Sequence, residues 1–259
     1  MVKEPYYMLD FRAGTCLFEI RVNDNIIMTM DIKGGVSTRI PINTGISKTG
    51  PFEVTIKLLP NTGTFSLDEG CYFNYSVVLV DVYNGFEDIE TLGSFKSKRL
   101  EKDEQKLFIT STKLYNAIVP YQMKTLWENG KNIDKVKDAE EHLRNAYKRI
   151  INIIQSKKYN LYKDYISARE YNMKVCMYLS EKESEARFIS LKKDFENGFN
   201  VVEFPENTVM VTSAYGKKVS LKRLNGNPAL SFGNIKEEEQ IMLDIEFYWS
   251  EDTKQFEII

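Results

Sequence analysis

Apolar and polar residues alternate with period two through most of the first hundred positions and again near the C-terminus; between them the period is 3.6. "YYMLDFR", "TCLFEIRVN", "IIMTMDI", "FEVTIKLLP" and "FNYSVVLVDVY" are rich in β-branched and aromatic residues. Ala13-Gly14, Asn23-Asp24-Asn25, Gly34-Gly35, Asn43-Thr44-Gly45, Gly50-Pro51 and Asn61-Thr62-Gly63 punctuate them. Short strands with turn signals at that spacing predict a β-sandwich. In "FEVTIKLL", Phe52, Val54, Ile56 and Leu58 share one face and Glu53, Thr55 and Lys57 the other, as in a half-buried antiparallel strand. "RVNDNIIMTMDI" is then a hairpin turning at Asn23-Asp24-Asn25. "LFITSTKLY" predicts one more strand, either closing the sandwich or bridging the two domains.

Residues 96–106, "KSKRLEKDEQK", form a mixed-sign run that reads as a solvated loop or strand end. "NAIVPYQMKTLWENGKN" carries Pro120 and Gly130, and the boundary falls there: residues 1–117 form the sandwich and 118–259 a second domain. Val136, Ala139, Leu143, Ala146, Tyr147, Ile150 and Ile154 then recur at steps of three and four. This predicts an amphipathic helix of about six turns, capped by Asp134. "NLYKDYISAREY" and "SEKESEARFISLKKDFENGF" predict two shorter helices, the second ending at Gly198. "NTVMVTSAY", "KKVSLKRL", "PALSF", "QIMLDIEFYW" and "QFEII" return to strands, with hairpin turns at Tyr215-Gly216-Lys217 and Asn225-Gly226-Asn227-Pro228. In the fourth of these, Ile241, Leu243, Ile245, Phe247 and Trp249 face one way, toward the helices, and Met242, Asp244, Glu246 and Tyr248 the other. The fold class is mainly β plus α+β: an N-terminal antiparallel sandwich, then helices and an antiparallel meander.

Composition narrows the function. The chain has 259 residues, 42% of them hydrophobic, and a net charge of −2 from 35 basic and 37 acidic side chains. It shows neither the basic excess nor the basic stripe of a nucleic-acid binder. No apolar stretch approaches the ~20 residues of a membrane span. The N-terminal residues lack the apolar core of a secretory signal, so a cytoplasmic location is expected, or a periplasmic one if a signal has been removed. Cys16, Cys71 and Cys176 are odd in number, lack CxxC spacing and have one histidine for company, so reduced, buried thiols are expected and no zinc site.

The order of long helix, shorter helices and C-terminal antiparallel strands over residues 120–259 resembles the nuclear transport factor 2-like superfamily of cone-shaped α+β rolls. "VNDNII" succeeded by "PINTGISKTGPFEVTIKLLP" resembles immunoglobulin-like or jelly-roll sandwiches of bacterial envelope and sugar-binding proteins, with Asp24 where those often carry glycine. The pairing of the two resembles bacterial two-domain proteins, among which the resemblance implies protection against toxins.

Catalytic chemistry has few carriers. His142 is the only histidine, it sits beside the apolar stripe of the long helix, and no GxSxG elbow accompanies it. Phosphate-binding glycine motifs are absent. "NGFEDIE" offers Glu87, Asp88 and Glu90 without the spacing of a calcium loop, and reads as a solvated loop. Asp244, Glu246 and Tyr248 share the polar face of one strand, the two carboxylates with Cβ atoms about 6–7 Å apart. Resemblance to the roll enzymes implies such groups as a desolvated base lining the cone; the alternative is a face meeting solvent or the first domain. Tyr72, Phe73, Tyr75, Tyr83 and Phe86 cluster by the strand after Gly70, where exposed rings would stack on sugars, and Trp127 lies near the boundary, placed for packing. The reading is a non-catalytic protein-binding protein without cofactor or metal, in its concrete form a toxin-neutralising one. A carbohydrate-binding or envelope-associated module and a roll-type isomerase or dehydratase are the alternatives. Candidate binding residues are Asp244, Glu246, Tyr248, Tyr72, Tyr75 and Trp127, and the implied partner is another protein.

Overall fold

The computed structural model describes every residue except 1, 102, 103, 105, 235 and 237. The chain is mainly β with an α+β portion, and divides into two units, Met1–Met123 with Cys176–Tyr178, and Lys124–Val175 with Leu179–Ile259. Among the described residues no helix is long and apolar enough to cross a membrane.

The first unit is one six-stranded antiparallel sheet, β1 (Pro5–Val22), β2 (Asn25–Pro41), β3 (Gly50–Leu59), β4 (Tyr72–Asp81), β5 (Glu87–Lys96) and β6 (Ile109–Ala117). β2 runs along one edge of β1 from Met8↔Pro41 to Val22↔Asn25. The opposite edge is shared, with residues 5–14 on β4 and residues 17–22 on β3. β5 extends the sheet beyond β4, and β6 beyond β3.

As turn signals, Ala13-Gly14 and Gly34-Gly35 should separate strands. Instead they face each other inside the β1–β2 ladder, which jumps from Gly14↔Gly35 to Cys16↔Ile32 across Thr15 at φ 50°. This bulge shifts the inward set from odd positions (Tyr7, Leu9, Phe11, Ala13) to even ones (Cys16, Phe18, Ile20, Val22), all in one core. The sheet can therefore fold across the bulge without exposing apolar groups. Phe11 and Phe18, from either side of it, both meet Phe73, at 5.2 Å each. A Cβ on Gly14 would lie 2.7 Å from the Tyr72 ring, so a larger residue there would have to displace that ring. The hairpin turn is the two residues Asn23 and Asp24, both at positive φ as a type I′ turn demands. Tyr6, Met8, Val78 and Val80 make a smaller cluster on the outer face with Met177 and Tyr178.

The second unit begins with α1 (Ala139–Gln155), α2 (Tyr159–Tyr165), α3 (Ser167–Cys176) and α4 (Glu181–Glu196). α1 is shorter than its periodicity predicts. Asp134 lies in a 3-10 turn, Ile133–Lys135, and Asp138 at φ 51° precedes the first helical residue. "NLYKDYISAREY" spans α2 and the start of α3, which Ile166 separates. α4 starts from a capping box of Ser180 with Glu183 and stops before Gly198 at φ 104°.

The strands after the helices are β7 (Asn200–Val201), β8 (Val209–Ser213), β9 (Lys218–Lys222), β10 (Leu230–Asn234), β11 (Glu239–Leu243), β12 (Phe247–Ser250) and β13 (Gln255–Ile258). They form two sheets in place of one meander: β13-β12-β9-β8 and β11-β10-β7. "QIMLDIEFYW" thus supplies a strand to each, with residues 244–246 crossing between. Its alternation survives the crossing. Ile245, Phe247 and Trp249 are buried in one cluster with Leu143, Tyr147, Ile150 and Ile154 of α1, and Ile241 and Leu243 pack against that cluster.

Candidate functional site

β9 is polar on one face and apolar on the other: Lys218, Ser220 and Lys222 alternate with the core residues Val219 and Leu221. Its register sets Lys218 opposite Ser213 of β8 and Tyr248 of β12. The crossing segment 244–246 brings two carboxylates onto the same face. Glu246 accepts hydrogen bonds from Ser213 Oγ and Lys218 Nζ, and Asp244 Oδ2 accepts one from Lys222 Nζ at 2.6 Å. Trp127, in a 3-10 turn at Leu126–Asn129, holds its ring 4.9 Å from Lys218 Nζ, a cation–π contact. Tyr248 donates to Glu257 Oε2 at 2.7 Å, and Thr253 donates to Oε1 at 2.7 Å. Asp244, Glu246, Tyr248 and Trp127 therefore belong to one neighbourhood, organised by Lys218 and Lys222.

The electrostatics are those of an ion-pair lattice. The side chains of Lys218 and Lys222 are only 7% and 5% exposed, whereas Asp244 is 53% exposed. Burial pushes the Glu246 carboxyl up, but the Lys218 charge and the hydrogen bonds from Lys218 and Ser213 outweigh it and hold the group below its ordinary range. A general base needs the opposite, a carboxylate raised toward neutrality with an oxygen free to take a proton. Ser220 Oγ is buried on this face with no hydrogen-bond partner among the described residues. The two lysines were the residues sequence reasoning missed. Their signal was present in the period-two spacing of "KKVSLK".

The other candidates are scattered. Tyr75 points into the first core, 3.3 Å from the Tyr115 hydroxyl, and burial raises its phenol. Tyr72 lies on the opposite face of β4 under Arg99, 5.1 Å from its ring, so the two tyrosines make no common stacking platform. Tyr83 and Phe86 are exposed at the β4–β5 turn, with Lys3 Nζ 3.8 Å from the Tyr83 ring. His142 is exposed on α1 with its ring 5.3 Å from Trp249. Glu87, Asp88 and Glu90 are in β5, not a loop, and Asp88 pairs with Arg39 at 2.7 Å. The charge run falls partly on residues 102, 103 and 105, outside the described residues; within it Leu100 is buried. All three cysteines are buried and outside any disulfide. Burial pushes the Cys176 thiol up to about 12.

Exposed apolar side chains also occur in β6 and in the segments that flank it. Leu107, Phe108, Leu114 and Ile118 are 70%, 63%, 76% and 72% exposed, and Phe65 is 94% exposed. Leu67 N–H donates to Lys106 O at 2.8 Å, tying the loop of Phe65 to the segment that enters β6. "LFITSTKLY" signalled the strand. Nothing in its alternation signalled that large apolar side chains would face outward at an edge.

No protein-family model matches the chain, and neither a curated protein nor a solved structure does.

Proposed function

We propose that the chain is a non-catalytic protein-binding protein that engages its partner through the first unit, with neutralisation of a toxin as the concrete form. The observation that carries this is the set of exposed apolar side chains at Phe65, Leu107, Phe108, Leu114 and Ile118. Exposed large apolar side chains cost solubility, and where they gather they are characteristic of partner surfaces. The engagement of Glu246 and Asp244 by buried lysines supports the same reading, because a carboxylate oxygen held in an ion pair is less available to take a proton. A helical start ahead of antiparallel strands supports a roll-like second domain, while the split into two sheets departs from one curved sheet. Buried thiols outside any disulfide fit a reducing, cytoplasmic setting.

The test compares the native chain with a variant carrying Phe65→Ser, Leu107→Ser and Phe108→Ser, by cross-linking in extracts of the source cells and on a polysaccharide array. The expected result is a specific protein partner whose affinity falls about tenfold or more in the variant, with its circular dichroism unchanged. Array binding that survives the triple substitution would favour the carbohydrate module. A turnover that His142→Ala or Glu246→Gln lowers a hundredfold in a folded protein would establish an enzyme.

A further inference from the structure

The first unit's sheet has three open edges, and they differ in how well they are protected. β5 carries Glu87, Asp88, Glu90 and Lys96, and its ladder with β4 is broken by two register shifts. β2 carries Asp31, Lys33 and Arg39, and its ladder also shifts twice. Charges and bulges are the means by which edges avoid pairing with other chains. β6 has neither defence in full. It pairs with β3 over nine consecutive residues without a shift, contains no proline or glycine, and bears one charge, Lys113. Its side chains at Thr110, Thr112, Lys113, Leu114 and Asn116 are exposed. Outside the β3 ladder, its backbone groups make no hydrogen bond among the described residues.

Resting on the protein-binding reading, we propose that β6 is a docking edge, on which an extended segment of a different protein adds as a further strand. The segment would place an acidic residue opposite Lys113 and a β-branched or apolar residue beside Leu114. Backbone pairing supplies affinity in such additions and alternate side chains supply selectivity. The charge selects the occupant. Lys113 is the midpoint of Ile109–Ala117, so a second copy paired antiparallel over the full strand would set Lys113 against its own counterpart. Like charges directly opposite are unfavourable, whereas a carboxylate there is favourable.

The probe is a capped, fluorescently labelled peptide, Thr-Val-Thr-Val-Glu-Val-Thr-Val-Thr, beside a twin with central lysine and a third with alternate amides N-methylated. Each is titrated against the full chain by anisotropy, with hydrogen exchange read at the amides of residues 109–117. The expected result is that the glutamate peptide slows exchange at β6, the lysine twin binds roughly fivefold more weakly, and the N-methylated peptide does not bind. Lys113→Glu, which leaves the β3 ladder intact, should reverse the preference between the first two. Equal affinity for both charged peptides, or binding without protection at β6, overturns the proposal. So does a concentration-dependent dimer that protects β6 without peptide, since the occupant would then be a second copy. A protein partner lost on substituting Phe65, Leu107 and Phe108, but leaving β6 exchange unchanged, would refute the added strand and leave the protein-binding reading standing.

Discussion

Phe247→Ala and Asp244→Asn should separate the two faces of the crossing strand by their effects on stability. Phe247 is almost wholly buried, with Tyr147 at 4.9 Å and Phe256 at 6.5 Å between ring centroids. Truncation removes most of an aromatic side chain from a packed core and leaves a cavity, a loss of about 3–5 kcal/mol. Asp244 is half in solvent, so the alternation by itself predicts almost no effect. Its partner changes that expectation, because the Lys222 ammonium at 2.6 Å is buried and would lose its counter-charge. An exposed pair contributes about 0–1 kcal/mol and a buried pair broken on one side costs about 3–5, so a loss of roughly 1–2 kcal/mol is expected here. Both tryptophans of the chain, Trp127 and Trp249, lie in the second unit, so their fluorescence in urea reports on that unit. With a slope of about 2 kcal/mol per molar, the midpoint should fall by roughly 1.5–2.5 M for Phe247→Ala and roughly 0.5–1 M for Asp244→Asn. Equal, small shifts would mean that the faces are wrongly assigned. A gain in stability from Asp244→Asn would mean that the carboxylate is held there against its own desolvation, and the enzyme reading would regain its base.

Tyr147→Phe should cost about 2–3 kcal/mol by the same assay, because the hydroxyl donates to Ile245 O and accepts from Leu221 N–H, two buried groups left unpaired without it. The depressed Glu246 carboxyl gives a pH signature. Its contribution is fully present above its unfolded value of about 4.3 and is lost as pH falls through the lower folded value, so Glu246→Gln should flatten the acid limb of stability against pH. Gly45→Ala should destabilise the first unit by about 1–3 kcal/mol in thermal unfolding, since the new methyl would sit 2.5 Å from Val22 Cβ, whereas Gly34→Ala, facing open space, should stay within about 0.5 kcal/mol.

Alternation made much of this fold legible. Phe52, Val54, Ile56 and Leu58 are core residues as their spacing implies, and so are Leu143, Ala146, Tyr147, Ile150 and Ile154 at helical spacing. What failed was local punctuation. Gly14 and Gly35 look like turns because glycine permits many backbone conformations, but here they allow a continuous strand to fold while a neighbouring ring passes close. The candidate site was half legible for a related reason. Asp244 and Glu246 were visible as polar residues in an apolar strand, but their partners lie more than twenty residues away on β9, and only the register of β12 against β9 brings them together. Tyr72 and Tyr75 are three residues apart, and in a strand an odd separation places side chains on opposite faces.

The two ion pairs also explain how ten residues of unbroken alternation come to serve two sheets. A period-two run this regular would pair along its whole length with one neighbour unless something held its middle elsewhere. Lys222 and Lys218 do so, taking Asp244 and Glu246 on either side of the buried Ile245 and fixing the crossing segment onto β9. A slip by one residue would turn Ile245 and Phe247 toward two buried ammonium groups and leave both lysines without counter-charges. Buried ion pairs add little net stability over apolar replacements, but they discriminate strongly among registers. On that view Lys218, Lys222, Asp244 and Glu246 act as a register lock, and a polar cluster that resembles an active site in sequence is needed by the fold itself.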